Sequence, residues 1–404
     1  MVRFRKGSIG LACDIEGMYH QVGVDKDYRN ILRFLWWDKG DLTTQPTEYR
    51  MAAQLFGGAS SPSCAKFALR TAADEFESKH GKLAADFVRD DFYVADGVTS
   101  LDSVEDTLEL VTNSIKLCGE RGFRLHKFVS NDRWVLDAVP TSERGKNIQH
   151  LDLRQDELPL ERTLGMEWHV KSDCFRFSVN LKDKPLTSRG ILSTVSSIFD
   201  PLGLVSPVLL QGKMILQDLC HQKADWDDPI PDKIRMRWGK WRMELMTLKE
   251  LQIPRCLKSM NFGTIQKAEL HSFADASEYA YGQCSYLKLV DESGQVETAL
   301  VMSKARVAPV KVVMIPRLEL TAAVTCVKVG TFLNRELKIE DLELRYYTDS
   351  TVVLGYISNE TKKFHIFVAN RTQHIRDVSS PQQWSHVNTT ENPADIASRG
   401  SDAK

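Results

Sequence analysis

The order of secondary-structure elements in the last third of the chain restricts its fold most. Three consecutive segments alternate like β-strands and are followed by a long helix, which a proline in its first turn helps to start. A fourth strand, a short helix, a fifth strand and a final helix complete the pattern, which predicts a mixed sheet covered by helices. The segments are, in order, AELHSFADAS, EYAYGQCSYLKLV, QVETALVMSKARV, Pro316 to Leu337, DLELRYYTDS, STVVLGYIS, QWSHV and NPADIASRG.

Four acidic residues fall on separate elements of this pattern. Asp275 is expected on the first strand and Glu319 in the long helix. Asp349 is expected at the end of the fourth strand and Asp395 near the start of the last helix. The element order is that of a ribonuclease H-like fold, in which these positions can meet at one edge of the sheet. Each acid taken alone is more often a surface residue, since the chain has 54 acids.

A cluster of four carboxylates suits the cleavage of a phosphodiester. Two magnesium ions about 4 Å apart can activate an attacking water and stabilise the departing oxygen. Hard carboxylate oxygens are the ligands that hold such ions. The four acids are therefore the predicted catalytic residues and the predicted ligands of two Mg²⁺ ions.

The segments around the acids, FADAS, IPRLEL, YTDS and NPADIASRG, resemble in order the catalytic segments of the ribonuclease H domain in retrotransposon polyproteins, particularly the BEL/Pao group. LTSRGILSTVSSIFDPLGLVSP and FVANRTQHIR resemble the same group. The resemblance implies a magnesium-dependent enzyme that cuts the RNA strand of RNA/DNA hybrids. The order Asp, Glu, Asp, Asp also disfavours an integrase core, whose pattern ends with a glutamate.

Two features depart from that family pattern. Ribonucleases H often carry a mobile histidine before the fourth acid. Here the nearest candidate is His386, which is expected to be a structural residue on the fifth strand. Nine residues follow Asp395, so the last helix is expected to be incomplete.

The first third of the chain resembles the palm of a reverse transcriptase. In LACDIEGMYHQV, Asp14 would bind both metal ions, and Tyr19 would stand against the sugar of the incoming nucleotide and reject a 2′-hydroxyl. A core aromatic is the alternative for Tyr19. LFGGASSPSCAKFAL resembles the segment beside the template, where Gly58 would allow a close approach of the backbone. In GFRLHKFVSN, Lys127 would approach the nucleotide phosphates, or be an ordinary exposed lysine.

The segment DFYVADGVTS resembles the catalytic hairpin of such a polymerase, with a tight Ala-Asp-Gly turn expected between two strands. The family hairpin carries two adjacent aspartates, whereas here Ala95 stands in the first position and only Asp96 remains. A methyl group cannot coordinate magnesium, and Asp96 on a strand would point to the face opposite to residue 95. Loss of such a ligand costs several orders of magnitude in rate, so the polymerase is predicted to be inactive.

Only 13 residues precede Asp14, so most of the fingers subdomain is expected to be absent.

The composition is that of a globular protein and does not by itself indicate a binding partner. Hydrophobic residues make up 42% and charged residues 26%, and no apolar run of about 18 residues predicts a membrane span. The net charge of −1 means that any nucleic acid must be bound by a local basic face. A solvated helix face is the alternative for the best segment, KKFHIFVANRTQHIR. Its candidate binding residues are Lys362, Lys363, Arg371 and Arg376.

Eight cysteines occur without a CxxC pair, which favours reduced and mostly buried thiols. The N-terminus lacks the pattern of a signal peptide, so a cytoplasmic location, including virus-like particles, is expected.

The sequence as a whole predicts an α/β and α+β multidomain chain, since 404 residues suffice for two to four domains. The expected parts are a partial reverse-transcriptase palm over 1–135, a helical, thumb- or connection-like region over 136–262, and a ribonuclease H-like domain over 263–404. Expected partners are an RNA/DNA hybrid or other nucleic acid, and other segments of a polyprotein. The alternative is a catalytically silent, nucleic-acid-binding remnant of a degenerate element.

Overall fold

A computed structural model describes residues 1–145, 160–163 and 166–402 of the chain. These residues divide into two compact units: Gly7–Leu164, and Met1–Lys6 together with Gly165–Lys404. Residues 166–262 therefore lie in the same unit as the ribonuclease H-like residues, and the three-part division stays a prediction. Within the described ranges, no helix is both long and apolar enough to cross a bilayer.

The unit Gly7–Leu164 is built on an antiparallel sheet packed against helices. Its elements are β1 (Ile9–Ile15), β2 (Arg33–Trp36), β3 (Thr47–Arg50), α1 (Ser61–His80), α2 (Lys82–Asp90), β4 (Phe92–Tyr93), β5 (Asp96–Leu101), α3 (Val104–Gly119), β6 (Leu125–Ser130), α4 (Arg133–Ala138) and β7 (Leu160–Thr163). The main sheet has the strand order β4-β5-β1-β6, and β2 and β3 form a separate hairpin. Alternate residues of β1 such as Leu11 and Ile15 are buried in one core with helix residues such as Leu69 and Leu110, because a strand turns every second side chain to the same face.

The second unit contains the five-stranded sheet that the sequence predicts. Its elements are β8 (Met166–His169), β9 (Cys174–Arg176), α5 (Ser188–Val195), α6 (Ser206–His221), α7 (Asp232–Glu244), β10 (Ile253–Pro254), β11 (Ile265–Ala276), β12 (Ala280–Asp291), β13 (Val296–Val307), α8 (Ile315–Leu337), β14 (Glu343–Thr348), α9 (Thr351–Ser358), α10 (Ile366–Val378), β15 (Trp384–His386) and α11 (Ala394–Arg399). The strand order is β13-β12-β11-β14-β15. The first three strands are joined by hairpins and are antiparallel. β14 runs parallel to β11 because the crossover through α8 returns the chain to the same end of the sheet.

Helix α8 connects the sheet to the helical layer. Pro316 lies in its first turn, as expected, where a missing N–H costs nothing. Its buried apolar residues, including Leu320 and Leu333, pack into two of the hydrophobic cores of this unit. Helix α8 thereby fixes one of the predicted catalytic acids relative to the strands.

Residues 166–262 contain the helices expected of the predicted connection and short strands beside them. Helices α5, α6 and α7 are present, and β8, β9 and β10 pair as a small antiparallel sheet. Residues 146–159 and 164–165 of the predicted region 136–262 lie outside the described residues.

The first six residues belong to this second unit, which the sequence does not indicate. Phe4 is fully buried and meets the ring of Trp168 edge-on, with centroids 4.9 Å apart. The guanidinium of the fully buried Arg255 lies over the Phe4 ring and donates two hydrogen bonds, of 2.6 and 2.8 Å, to the carboxylate of Asp173. The segment is therefore held by aromatic packing and by a charge whose partner is present.

All eight cysteines are free thiols, but only half are buried. The exposed member is Cys220, and Cys64, Cys174 and Cys256 are half-buried.

Candidate active site

Asp275 is the most enclosed of the four predicted catalytic acids. It is the second-last residue of β11 and is only 5% exposed. Its carboxylate accepts a hydrogen bond from the hydroxyl of Ser398 in α11. The pKa of Asp275 is raised to about 6: burial raises it most, the negative charges of Asp349 and Asp395 add to the rise, and the hydrogen bond from Ser398 lowers it. The acid is therefore close enough to two others to feel their charge.

Asp349 follows β14 directly and lies beside Asp275. Because Ala274 and Thr348 are partners in the parallel ladder, the next residues on the two strands leave the sheet at the same edge. One carboxylate oxygen of Asp349 accepts a hydrogen bond of 2.8 Å from the hydroxyl of Thr389. Its other oxygen, Oδ1, is buried and has no hydrogen-bond partner among the described residues. A buried acceptor of this kind is available to a ligand.

Glu319 is brought to the same edge by α8, where it accepts a hydrogen bond from Ser350, the residue that follows Asp349. The hydroxyl of Ser350 accepts the Val353 N–H at the start of α9 and donates to Glu319 Oε2 at 2.6 Å. Burial raises the pKa of Glu319 and the charge of Asp349 adds to it, while Ser350 lowers it. A single N-cap residue thus fixes both the helix start and the carboxylate.

Asp395 completes the group at the start of α11. The preceding loop is anchored by Asn392, whose amide donates to the carbonyl of Ala274 at 3.2 Å and whose oxygen accepts the Ala394 N–H. The Arg399 side chain donates to the carboxylate of Asp395. Helix α11 ends at Gly400, which has a φ of +80° and acts as the C-cap, and the incompleteness of the helix stays a prediction.

Gly282 allows α11 to pack directly on β12. A Cβ at this position would lie 2.8 Å from the carbonyl oxygens of Ala397 and Lys304, closer than real carbon atoms approach. We expect Gly282→Val to lower the unfolding free energy of this unit by about 1–3 kcal/mol and to displace Asp395. Urea unfolding and hybrid cleavage measure the two effects.

Gly239→Ala is the matched control for that substitution, because a Cβ added at Gly239 in α7 would meet no atom within 4 Å beyond the backbone of its own helix. It should stabilise the chain by about 1 kcal/mol through helix propensity. Unchanged unfolding and cleavage in Gly282→Val would contradict the role of the close contact.

The raised pKa of Asp275 has a consequence for stability in the absence of metal. Because the folded state holds this proton more tightly than the unfolded state, the unit loses stability as the pH rises from about 4 to about 6. In EDTA, Asp275→Asn should therefore be more stable than the wild type at pH 7, and this advantage should disappear near pH 3.5. Melting temperatures across this range test the expectation, and equal pH profiles for the two proteins would refute it.

The chemistry of the four acids suits magnesium, although they do not form a closed ligand set. They supply hard carboxylate oxygens that feel one another's charge, and Asp349 Oδ1 has no protein partner. Among the described residues, however, no three His, Cys, Asp or Glu side chains converge closely enough to hold a metal ion by themselves. The magnesium ions stay a prediction.

His386 is the last residue of β15, where the sequence placed it, and pairs with Thr348 in the ladder. It is exposed. The loop that follows it brings Thr389 to Asp349, so a hydroxyl contacts the acid at this point of the loop.

The polymerase-like hairpin differs from the prediction in the position of its turn. Tyr93 pairs with Asp96, so the two-residue turn is Val94–Ala95 and the predicted Ala-Asp-Gly turn is wrong. Val94 takes a φ of +56°, which is rare for a β-branched residue. Asp96 is the cross-strand partner of Asp14 and so shares its face of the sheet. Burial raises the pKa of Asp96, the charge of Asp14 raises it further, and the charge of Lys127 lowers it.

Lys127 reaches the same place through an irregularity in β6. Ala12 pairs with Val129 but Asp14 pairs with His126, so β6 contains one extra residue, and Lys127 adopts a φ of +53°. Such a bulge redirects a side chain. The Lys127 ammonium forms an ion pair with Asp14, and His126 Nε2 lies 3.3 Å from the same oxygen. Contact of Lys127 with nucleotide phosphates stays a prediction.

Tyr19 and Gly58 both have structural contacts. Tyr19 is only 8% exposed and meets the Phe56 ring edge-on at 4.8 Å. A Cβ on Gly58 would lie 2.6 Å from the hydroxyl oxygen of Ser61, so the glycine permits the start of α1. These contacts account for both residues without a nucleotide, and their nucleotide contacts stay predictions.

The four predicted basic residues differ in what they contact. Lys362 and Lys363 are exposed between α9 and α10. The guanidinium of Arg376 donates to the carbonyls of Ile357 at 3.0 Å and Tyr356 at 3.1 Å, so it caps the end of α9. Arg371 lies over the ring of Phe367, with its guanidinium carbon 3.5 Å from the centroid. Arg376 thus has an internal role, and nucleic-acid binding by all four stays a prediction.

Sequence reasoning missed the hydroxyl and amide groups that position the acids. Ser350 was identifiable, because a serine directly before a helix is a common N-cap. Ser398, Thr389 and Asn392 make contacts between residues distant in sequence, and no local pattern indicates them.

Residues 187–350 match the protein family described as the Pao retrotransposon-like RNaseH-like domain. The fold is also similar to a solved structure titled "Structure of the foamy viral protease-reverse transcriptase dRH in complex with ds DNA", with a TM-score of 0.55 and 12% sequence identity. Residues 187–350 therefore contain a ribonuclease H-like domain. The structural match covers 97% of this chain and 58% of the viral one, and at that identity it concerns the fold alone. No curated protein sequence matches the chain.

The family match confirms the resemblance to Pao retrotransposons that the catalytic segments indicate. The matched range includes Asp275, Glu319 and Asp349 and ends before Asp395. It also begins at Thr187, well before the predicted domain start at 263, and so includes α5, α6 and α7.

Proposed function

We propose that the chain is a magnesium-dependent hydrolase that cuts the RNA strand of RNA/DNA hybrids. The proposal is supported by four carboxylates from four separate elements, which lie near enough to one another at one edge of the mixed sheet for their charges to interact. These are Asp275, Glu319, Asp349 and Asp395. The pKa values of Asp275 and Glu319 are raised by burial and by neighbouring acids, and strongly perturbed acids of this kind are more common at functional sites than in a purely structural core.

The four acids would hold two magnesium ions, and bound magnesium would supply the positive charge that activates water and stabilises the departing oxygen. Mg²⁺ commonly takes one or two protein carboxylates and completes its shell with water and substrate phosphate. A site without three converged protein ligands is compatible with that mode. In this chain Ser398 orients Asp275, Ser350 orients Glu319 and Thr389 orients Asp349.

A double helix is the substrate class that we favour. The structurally similar foamy viral protein was solved with double-stranded DNA, and this chain shares its fold. The BEL/Pao resemblance of the segments around the acids narrows the proposed substrate to the RNA/DNA hybrid of reverse transcription.

The direct test is incubation of the chain with a hybrid labelled on its RNA strand. We expect cleavage with Mg²⁺, none with EDTA, and little cleavage of the same RNA alone or of the matching DNA duplex. Cleavage that persists in EDTA, or equal cleavage of single-stranded RNA, would contradict the proposal.

A catalytically silent binding protein is the second candidate. It is favoured by the lack of a converged set of three metal ligands among the described residues. Binding of the hybrid without magnesium-dependent cleavage would support this candidate over the enzyme.

We further propose that the palm-like unit does not synthesise DNA, because Ala95 occupies the place of a metal-binding aspartate. Asp14 and Asp96 face each other, so the site lacks one carboxylate relative to the polymerase family pattern.

A further inference from the structure

A groove of about 490 Å³ lies among β12, β13, α8 and α10 in the second unit. Five of its lining residues carry basic side chains, and none is an aspartate or a glutamate. The remaining lining residues are polar or apolar, among them Asn370 and Phe332. The basic residues are Lys304, Arg306, Lys328, Arg371 and His374.

The fold brings these side chains together from three elements. Lys304 and Arg306 are alternate residues of β13 and therefore share one face of the sheet. Arg306 lies opposite Tyr281 in the ladder, and both line the groove. Lys328 comes from α8, and Arg371 and His374 are spaced to share one face of α10.

Within the described residues, none of the five basic side chains forms an ion pair with an acid. Burial lowers the pKa of Lys304, and the charge of Arg306 lowers it further. Burial also lowers the pKa of Arg371. Cations that are partly desolvated and repel one another are stabilised by an anion.

Two details suit an oxygen-rich anion. His374 Nε2 is buried and has no hydrogen-bond partner among the described residues. Arg371 is held by stacking on Phe367 and by one hydrogen bond of 3.2 Å to the Phe367 carbonyl, so the guanidinium is oriented while further N–H groups remain to donate.

We propose that this basic groove binds the phosphodiester backbone of a nucleic acid. The proposal rests on the proposed function, in that the ligand is the same polynucleotide that meets the acids. Asp275 and Tyr281 are on opposite faces of the sheet, because Asp275 pairs with Gly282, the neighbour of Tyr281. The groove is therefore a second contact, separate from the acid cluster. Lys328 follows Glu319 by nine residues of α8, about 13 Å of helix rise. That distance equals about four base steps of 3.4 Å.

The test uses Lys304→Ala/Lys328→Ala, since both side chains are exposed and their removal should leave the fold intact. The matched control is Lys233→Ala/Lys249→Ala, which removes the same charge from exposed positions of this unit outside the groove. Fluorescence anisotropy of a 20-base-pair RNA/DNA hybrid is measured in EDTA at several salt concentrations, with melting temperatures for all variants. We expect the groove variant to bind about 10-fold more weakly and to reduce the slope of log Kd against log salt by about 1.5–2, with the control unchanged.

Three outcomes decide the matter. Equal affinities and salt slopes for the groove variant and the control would overturn the proposal. So would binding of inorganic tripolyphosphate as tight as that of the hybrid, because the site would then suit a small polyanion. Restoration of binding by Lys304→Arg/Lys328→Arg would support it. The assay contains no Mg²⁺, so a chain that binds through the groove yet never cleaves disproves the hydrolase and leaves the groove assignment standing.

Discussion

Asp349→Asn is expected to reduce magnesium-dependent cleavage of an RNA/DNA hybrid by about 10³-fold or more. Asp349 lies between the other acids: its charge raises the pKa of both Asp275 and Glu319. Its Oδ1 atom is buried without a protein partner, so an amide at this position would remove a charged ligand while keeping the side-chain shape. Single-turnover cleavage rates of the wild type and the variant measure the effect.

The control for this variant is Asp377→Asn, which changes an exposed acid of α10 in the same unit and should leave the rate within twofold. Stability separates a catalytic effect from misfolding. Since Asp349→Asn removes one of several mutually repelling charges, its melting temperature should equal or exceed that of the wild type. A rate within tenfold of the wild type, in a folded variant, would exclude Asp349 from the catalytic site.

Ala95→Asp is expected to raise primer extension by about 10²-fold or more above a wild type that is close to background. The turn that carries residue 95 lies against β1, because the Ile15 N–H donates to the Ala95 carbonyl at 3.0 Å. Asp14 is the neighbour of Ile15, and Asp96 already faces Asp14 across the ladder. A carboxylate at position 95 would therefore add a third acid in the turn next to this pair, in place of a methyl group that packs against the core of this unit.

Ala95→Asn serves as the control, since it adds a side chain of the same size without a charge and should give no gain. Extension of a primed template with Mg²⁺ and deoxynucleotides reports the activity. Strong extension by the wild type, with no gain in Ala95→Asp, would show that the hairpin does not need this carboxylate.

The ribonuclease H-like elements could be predicted because each is encoded by local pattern. Alternation gives β11, β12 and β13, Pro316 favours the start of α8, and the helix-to-strand order requires that β14 return parallel to β11. The family segments then placed the four acids on those elements. Their meeting at one edge follows from the topology.

The contacts that position the acids could not be predicted in the same way. Ser398 reaches Asp275 across 123 residues of sequence, and Asn392 reaches Ala274 across 118. The charge of Arg376 suggested binding to nucleic acid, yet its side chain donates hydrogen bonds to the last carbonyls of α9. Composition also conceals the basic groove, since the chain has a net charge of −1 and the five basic residues come from three elements.

The hairpin around Ala95 shows the same division. The sequence by itself determined that a carboxylate is missing from DFYVADGVTS, because side-chain chemistry is independent of conformation. Only the tertiary structure decided where the remaining carboxylate points: the two-residue turn at Val94–Ala95 sets the register of β5, and a shift of one residue turns every side chain of a strand to the other face. Asp96 therefore faces Asp14, because β1 and β5 pair in this register. Local sequence does not encode such pairing between strands that are distant in the chain.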